Sequence, residues 1–260
     1  SMFENVKYCV KSDVGLHRCN NEDHFLIVDP SCNHYNLKQL GIAFVIADGL
    51  GGHAAGEIAS RMACEEVISA YYRDDLLFQD HADTPEWKVR KLEKAIRSAH
   101  NKIIHLATEK GELRGMGTTL SALVLTENRA LIAHVGDSRI YRCRNRVSER
   151  MTIDHTKSQA LIDMGQFLPE DENNLYCGHI LTQALGGYDD LTAVFTRMED
   201  VQSGDLFLLC TDGLHGLVTD HEIQEILIKN APPQAACDAL VQAAIRKGGD
   251  DNITVIVIQV

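Results

Sequence analysis

The run Gly41-Ile42-Ala43-Phe44-Val45-Ile46-Ala47 is apolar throughout and is closed by Asp48-Gly49. A short apolar run ended by turn residues predicts a strand buried on both faces. From Ala54 the spacing changes. Ala55, Ile58, Ala59, Met62, Ala63, Val67, Ala70 and Tyr71 fall on one face of a helix. After a polar connection over Asp74–Asp83, Thr84-Pro85 offers a capping hydroxyl and a proline at the first helical position. Val89, Leu92, Ile96, Ala99, Ile103 and Leu106 then form a second stripe. It is too short for a coiled-coil seam and predicts packing on a core.

Strand character also marks residues 6–11, 24–28, 117–125, 130–135, 139–143, 191–198, 205–210 and 253–260. Thr126-Glu127-Asn128-Arg129 has the form of a hairpin turn and Gly136-Asp137-Ser138 that of a second tight turn, so the strands they join are expected to pair antiparallel. Helices are predicted over 158–164, 220–228 and 233–246. Residues 154–190 differ in character, with a short helix, the acidic patch Glu170-Asp171-Glu172 and Gly186-Gly187, and read as a flap over a site. Strands come in adjacent groups and helices in pairs, unlike the alternation of a doubly wound sheet. The fold class predicted is α+β: two mostly antiparallel sheets packed face to face, with helix pairs outside. One domain over 1–260, with a flap subdomain at about 154–190, is expected.

Composition narrows the function classes. A chain of 260 residues, 45% hydrophobic and 24% charged, can build a sizeable core. No apolar run reaches the length of a membrane span, and no basic-then-apolar leader opens the chain. Eight cysteines are scattered without a C-x-x-C pair, which fits a reduced, cytoplasmic protein. A net charge of −12 disfavours nucleic acid as a partner. It fits carboxylates gathered for cations, or an acidic solvated surface.

The acids repeat one pattern. Glu22-Asp23, Asp48-Gly49, Asp212-Gly213 and Asp250-Asp251 each place a carboxylate at a strand's edge beside glycine or a turn, and Asp137 in Gly136-Asp137-Ser138 is a fifth case. Each alone reads as a turn, a helix cap or a solvated charge. If the strands share one sheet system, the acids can converge on one rim. Bare carboxylates about 4 Å apart repel by about 4 kcal/mol at an effective dielectric near 20, so a cluster needs counter-ions. Oxygen-only ligands select Mg²⁺ or Mn²⁺. No histidine pairs with another at helical spacing beside these acids, which disfavours zinc. Arg18 stands four residues before Glu22, and a guanidinium fork binds phosphate oxygens. Together these groups describe phosphoester hydrolysis.

At this point the chain resembles the metal-dependent protein phosphatases of type 2C. The motifs stand in order over essentially the whole chain. They are Asp13-x-Gly15-x-x-Arg18-x-x-x-Glu22-Asp23, then Asp48-Gly49-Leu50-Gly51-Gly52-His53-x-x-Gly56-Glu57-x-Ala59-Ser60, then Gly117-Thr118-Thr119-Leu120 and Val135-Gly136-Asp137-Ser138-Arg139. Leu181-Thr182-Gln183-Ala184-Leu185-Gly186, Thr211-Asp212-Gly213-Leu214 and Asp251-Asn252-Ile253-Thr254 complete the set. The Gly51-Gly52-His53 form resembles the bacterial branch.

The resemblance implies a four-layer α-β-β-α sandwich and a serine/threonine phosphatase that uses a water bridging two Mn²⁺ or Mg²⁺ ions. It implies that Asp48, Asp212 and Asp251 hold one ion, and that Glu22, Asp48 and the Gly49 carbonyl hold the other. Asp23 would orient metal-bound water, Asp137 with Asp212 would form a weaker third site, and Arg18 would grip the substrate phosphate. Phosphorylated proteins, substrates of a serine/threonine kinase, would be the partners, and the enzyme would act as a monomer without nucleic acid or membrane. Two positions depart from the pattern. Leu50 stands where eukaryotic members carry a histidine proposed as general acid, and leucine donates no proton. Gln183 stands where arginine is frequent.

Other residues read as structure. His134 reads as core, Trp87 as a packing or surface residue, and Lys88, Arg90, Lys91 and Lys94 as a solvated helix face. Cys64 and Cys210 read as buried thiols, and His53 as a residue of the helix start. Two further functions remain open from sequence: a catalytically silent phosphoprotein-binding module on the same fold, and a metal phosphoesterase acting on small molecules.

Overall fold

The strand β3 (Ile42–Leu50) buries both its faces, in two different cores. Ala43, Val45 and Ala47 point to one, while Ile42, Phe44 and Ile46 point to the other. That division organises the molecule. The computed structural model describes residues 3–74, 84–166, 168, 178–187 and 190–260.

Beside β3 lie β2 (Asp23–Val28) and β5 (Leu120–Leu125), and beyond β5 come β6 (Arg129–Val135) and the edge strand β10 (Phe195–Asp200). The far end of β3 continues into a small ladder with β4 (Gly117–Thr118) and β9 (Leu185–Gly186). The second sheet runs β1 (Lys7–Asp13), β12 (Ile253–Gln259), β11 (Leu206–Cys210), β7 (Arg139–Arg144) and β8 (Val147–Arg150). All strand pairs in both sheets are antiparallel.

Alternation along each strand produces three apolar layers. Phe44, Ile46, Leu123 and Ile132 face Ile140, Phe207, Leu209 and Ile256 between the sheets. On the outer face of the first sheet lie α2 (His53–Tyr72) and α3 (Pro85–Glu109). Their stripes are the predicted ones: Ala59, Ala63, Val67 and Tyr71 from one, Leu92, Ile96, Ala99 and Ile103 from the other, all buried. Thr84 caps α3 by accepting from the Trp87 amide at 3.3 Å, and Pro85 opens it. On the second sheet α6 (Asp220–Lys229) and α7 (Pro233–Arg246) bury Ile223, Leu227, Leu240 and Val241 against β11 and β12. The four-layer sandwich with outer helix pairs is the predicted one. Among the described residues no helix is long and apolar enough to cross a membrane.

Several details differ from the sequence reading. β6 and β7 do not pair: they belong to opposite sheets, and Gly136-Asp137-Ser138 carries the chain from one to the other. Gly136 makes the turn with φ of 107°, a conformation that favours glycine. β3 runs on through Leu50, because Gly49 and Leu50 pair with Thr118 and Gly117. β8, β9 and the short helices α1 (Leu37–Leu40) and α5 (Asp212–His215) were not read from the sequence. The helix expected over 158–164 is α4 (Lys157–Asp163). The strand expected over 191–198 is β10, shifted towards Asp200. Lys91 is buried rather than solvated, because its ammonium donates to the Arg73 carbonyl at the end of α2, at 2.6 Å. The acidic patch Glu170-Asp171-Glu172 lies outside the described residues.

Phe44 fills the layer between the sheets and is wholly buried. Phe44→Ala should cost about 3–5 kcal/mol of stability. Urea unfolding should show it as a lower midpoint at unchanged slope.

Candidate metal centre and active site

The antiparallel register of β2 and β3 sets Asp23 opposite Asp48. The Asp48 backbone is held at three points. Its amide donates to Thr119 Oγ1 at 3.1 Å, and its carbonyl accepts from the Thr119 amide at 2.9 Å and from Thr118 Oγ1 at 3.1 Å. Asp48 does not cap a helix. The N-cap of α2 is Gly52, without a side-chain hydrogen bond. The first turn of α2 packs so tightly on this strand end that a Cβ on Gly49 would strike the Gly56 carbonyl. A Cβ on Gly56 would strike the Glu22 carboxylate. Two glycines facing each other are what this approach requires.

Asp212 opens α5 directly after β11, and Asp251 ends the turn between α7 and β12. One carboxylate oxygen from each of Asp48, Asp212 and Asp251 lies within 4.8 Å of the others. They line a cavity of about 220 Å³ together with Glu22, Asp137 and Arg18. Gly49, Leu50 and His179 also border it. Arg18 Nε stands 3.4 Å from Asp251 Oδ1, at a half-exposed position on the rim. All the predicted site residues are therefore on one depression except Asp23, which sits behind it. Asp23 Oδ2 accepts from Thr211 at 3.0 Å and from Thr254 at 2.7 Å, and Asp23 Oδ1 is buried without a hydrogen-bond partner.

The crowding shows in the acid strengths. Burial, then the Asp212 and Asp23 charges, pushes the Asp48 carboxyl well above the usual carboxylate range. Burial raises Asp23 to about 7, with the hydrogen bond from Thr254 opposing and the Asp212 charge adding to the rise. Asp137 is raised by burial and by Asp212, and Asp251 by the same two causes. A carboxyl raised in the fold contributes stability below its unfolded pKa, near 4. That contribution is lost as pH rises through the folded value, about 7 for Asp23. Divalent cations would act in the opposite sense, by favouring the charged form.

The donor set fits such cations. It is all oxygen, and the buried Asp212 Oδ1 has no hydrogen-bond partner. Asp48, Asp212, Asp251, Glu22 and the Gly49 carbonyl could hold hard divalent ions.

Sequence reasoning assigned no role to several residues that build the site. Asn252 is the main one. Its Oδ1 accepts from the Glu22 amide at 2.9 Å, and its Nδ2 donates to the carbonyls of Val14 and Asn20, both at 2.9 Å. One buried side chain thus ties the Arg18–Glu22 loop to Asp251. Thr119, Thr211 and Thr254 were present in the motifs without a function. His215 Nε2 lies 2.6 Å from the Asp137 carbonyl and joins that turn to α5. Burial holds its imidazole neutral, with a pKa lowered to about 4. His134 is core as predicted, bonded to Ser121 at 2.8 Å. Gln183 Oε1 accepts from the Thr192 amide at 3.0 Å. The His53 side chain lies outside the described residues.

A family model described as Protein phosphatase 2C matches residues 20–246. The chain is 35% identical over 244 residues to the protein phosphatase PhpP of Streptococcus pneumoniae, which covers 94% of this chain and 93% of that one. It is 32% identical over 249 residues to the serine/threonine phosphatase stp of Listeria monocytogenes, covering 96% and 94%. Among solved structures it is similar to the catalytic domain of the serine threonine protein phosphatase PstP in complex with two manganese ions. The TM-score there is 0.77 at 33% identity, covering 98% of this chain and 97% of that one.

Two measurements check this geometry. Asn252→Ala removes three hydrogen bonds between a buried side chain and the backbone and should cost about 2–3 kcal/mol in chemical denaturation. Protons and cations compete for the same raised carboxyls, so the gain in melting temperature from Mn²⁺ over EDTA should be larger at pH 8 than at pH 5. A gain independent of pH would mean that these carboxyls are not the ligands.

Proposed function

The chain belongs to the protein phosphatase 2C family, and we propose that it is a metal-dependent protein serine/threonine phosphatase that hydrolyses phosphoserine and phosphothreonine. The observation that carries the reading is the convergence of Asp48, Asp212 and Asp251 beside Arg18. A silent binding module would be expected to lack one of the acids, and every position carries one.

Each residue has a role in this reading. Asp48, Asp212 and Asp251 hold one cation, Mn²⁺ or Mg²⁺. Glu22, Asp48 and the Gly49 carbonyl hold a second, and Asp137 with Asp212 a weaker third. When bound, these ions supply an activated water and neutralise charge on the phosphoryl oxygens. Arg18, exposed at the rim, binds the phosphate through its guanidinium fork. Asp23 is a positioning residue, its Oδ2 fixed by Thr211 and Thr254 and its Oδ1 buried without a hydrogen-bond partner. Leu50 borders the cavity, and its side chain exchanges no proton there. The residues form one catalytic domain over 1–260, with the flap over 154–190. Phosphoproteins are the substrates, made by a serine/threonine kinase. The enzyme acts as a monomer, and its cysteines, free among the described residues, fit a reducing cytoplasm.

The test is hydrolysis of a phosphothreonine peptide. Mn²⁺ should support turnover and EDTA should stop it. Asp48→Asn should lower kcat/KM by about 100-fold or more. Arg18→Ala should act mainly on KM, by about tenfold. Turnover that survives chelation contradicts the mechanism. Nucleotides hydrolysed faster than the peptide would favour the small-molecule reading.

A further inference from the structure

Beside the cation cavity lies a larger pocket, of about 320 Å³. The two adjoin, because Asp137 and His179 border both. The pocket's floor is the buried Arg139 of β7 with Asp154. One wall is the root of the flap, Thr156 and Ser158, and the other is the turn from α5 into α6, from His215 to His221. The cation cavity, at about 220 Å³, has to take the phosphoryl group and its ions. A residue next to the phosphorylated one therefore needs space elsewhere, and this pocket is the adjoining space.

Its chemistry limits what enters. Arg139 grips Asp154 with Nε at 3.0 and 3.2 Å and Nη2 at 2.6 Å. Asp220 accepts from Arg150 Nε at 2.7 Å and from the Tyr141 hydroxyl at 2.8 Å. The two guanidiniums and two carboxylates are thus matched within the protein. The pocket's third carboxylate, Asp137, is given to a cation in the phosphatase reading, so an incoming charge would give up its hydration and find no unmatched opposite charge among the described residues. What the pocket offers instead is hydroxyl and imidazole from Ser158, Thr219 and His221, against an apolar patch of Leu217 and Val218.

We propose that this pocket receives the side chain of a residue flanking the phosphorylated serine or threonine, and that it selects an uncharged, hydrogen-bonding one. The proposal rests on the phosphatase reading and names a feature of its substrates.

The test uses the intact chain with Mn²⁺. Phosphothreonine peptides carry Gln, Glu, Lys or Gly at one position at a time, within two residues on either side of the phosphothreonine. The companion substrate is p-nitrophenyl phosphate, which has no flanking residue. At one position Gln should exceed Glu and Lys in kcat/KM by about fivefold or more. His221→Trp should fill the pocket from an exposed position on α6 and raise KM for the Gln peptide by about fivefold. It should leave KM for p-nitrophenyl phosphate unchanged. Rates within twofold across the whole wild-type panel would overturn the proposal, as would a preference that persists in His221→Trp. Failure of the wild type on p-nitrophenyl phosphate as well as on every peptide would overturn the phosphatase reading itself, and the proposal with it.

Discussion

Holding several carboxylates together out of bulk water is the demand around which this molecule is built. Oxygens of Asp48, Asp212 and Asp251 share a space 4.8 Å across. Each pair of full charges at such a distance repels by about 3–4 kcal/mol at an effective dielectric near 20. Arg18 beside Asp251 offsets part of that cost, and protons or cations must offset the rest. The geometry survives because the acids stand at the ends of elements fixed by three apolar layers. Asp48 comes from β3, buried on both faces, and Asp212 follows β11, which is buried from Phe207 to Cys210. Asp251 precedes β12, buried from Ile253 to Ile258. The layers supply rigidity, and the rim where strands from both sheets end supplies the convergence.

The bonding around the acids is mostly neutral and mostly backbone. Thr119, Thr118 and the Asn252 side chain fix chain segments, while the Asn252 amide holds Asp251 Oδ1 at 2.8 Å. That leaves carboxylate oxygens free to be ligands, and Asp212 Oδ1 is one of them. The same economy extends towards α4. The Gly136 amide donates to His155 Nδ1 at 3.0 Å, the His155 amide returns a bond to the Gly136 carbonyl at 2.8 Å, and the Thr182 amide donates to the His155 carbonyl at 2.9 Å. The turn that carries Asp137 is therefore tied to His155 before α4 and, through it, to Thr182 beyond it.

Burial and periodicity were legible in the sequence where they concern one element at a time. The run from Gly41 to Ala47 and the stripes of α2 and α3 could be read because a helix face or a core strand repeats at its own period. Which sheet a strand joins was not legible. β6 and the start of β7, residues 139–141, are buried on both faces, so the pattern beside the short turn is the same whether it closes a hairpin or crosses between sheets. β8 and β10 were missed or misplaced because they are edge strands with alternating exposure and many charges. Lys91 looked solvated because the carbonyl it reaches lies at the end of a different helix. The site acids were legible as candidates, since each stands beside a glycine or turn at a strand's end. Asn252 was not, because an asparagine after Asp-Asp reads as a turn residue until the loop it ties down is placed.

The most direct test of the account is an anomalous difference map at the manganese absorption edge, from crystals equilibrated with Mn²⁺. The account predicts peaks at bonding distance from the carboxylates of Asp48, Asp212 and Asp251, with a neighbouring peak beside Glu22 and the Gly49 carbonyl. A map with no peak among these side chains at saturating Mn²⁺ would contradict it.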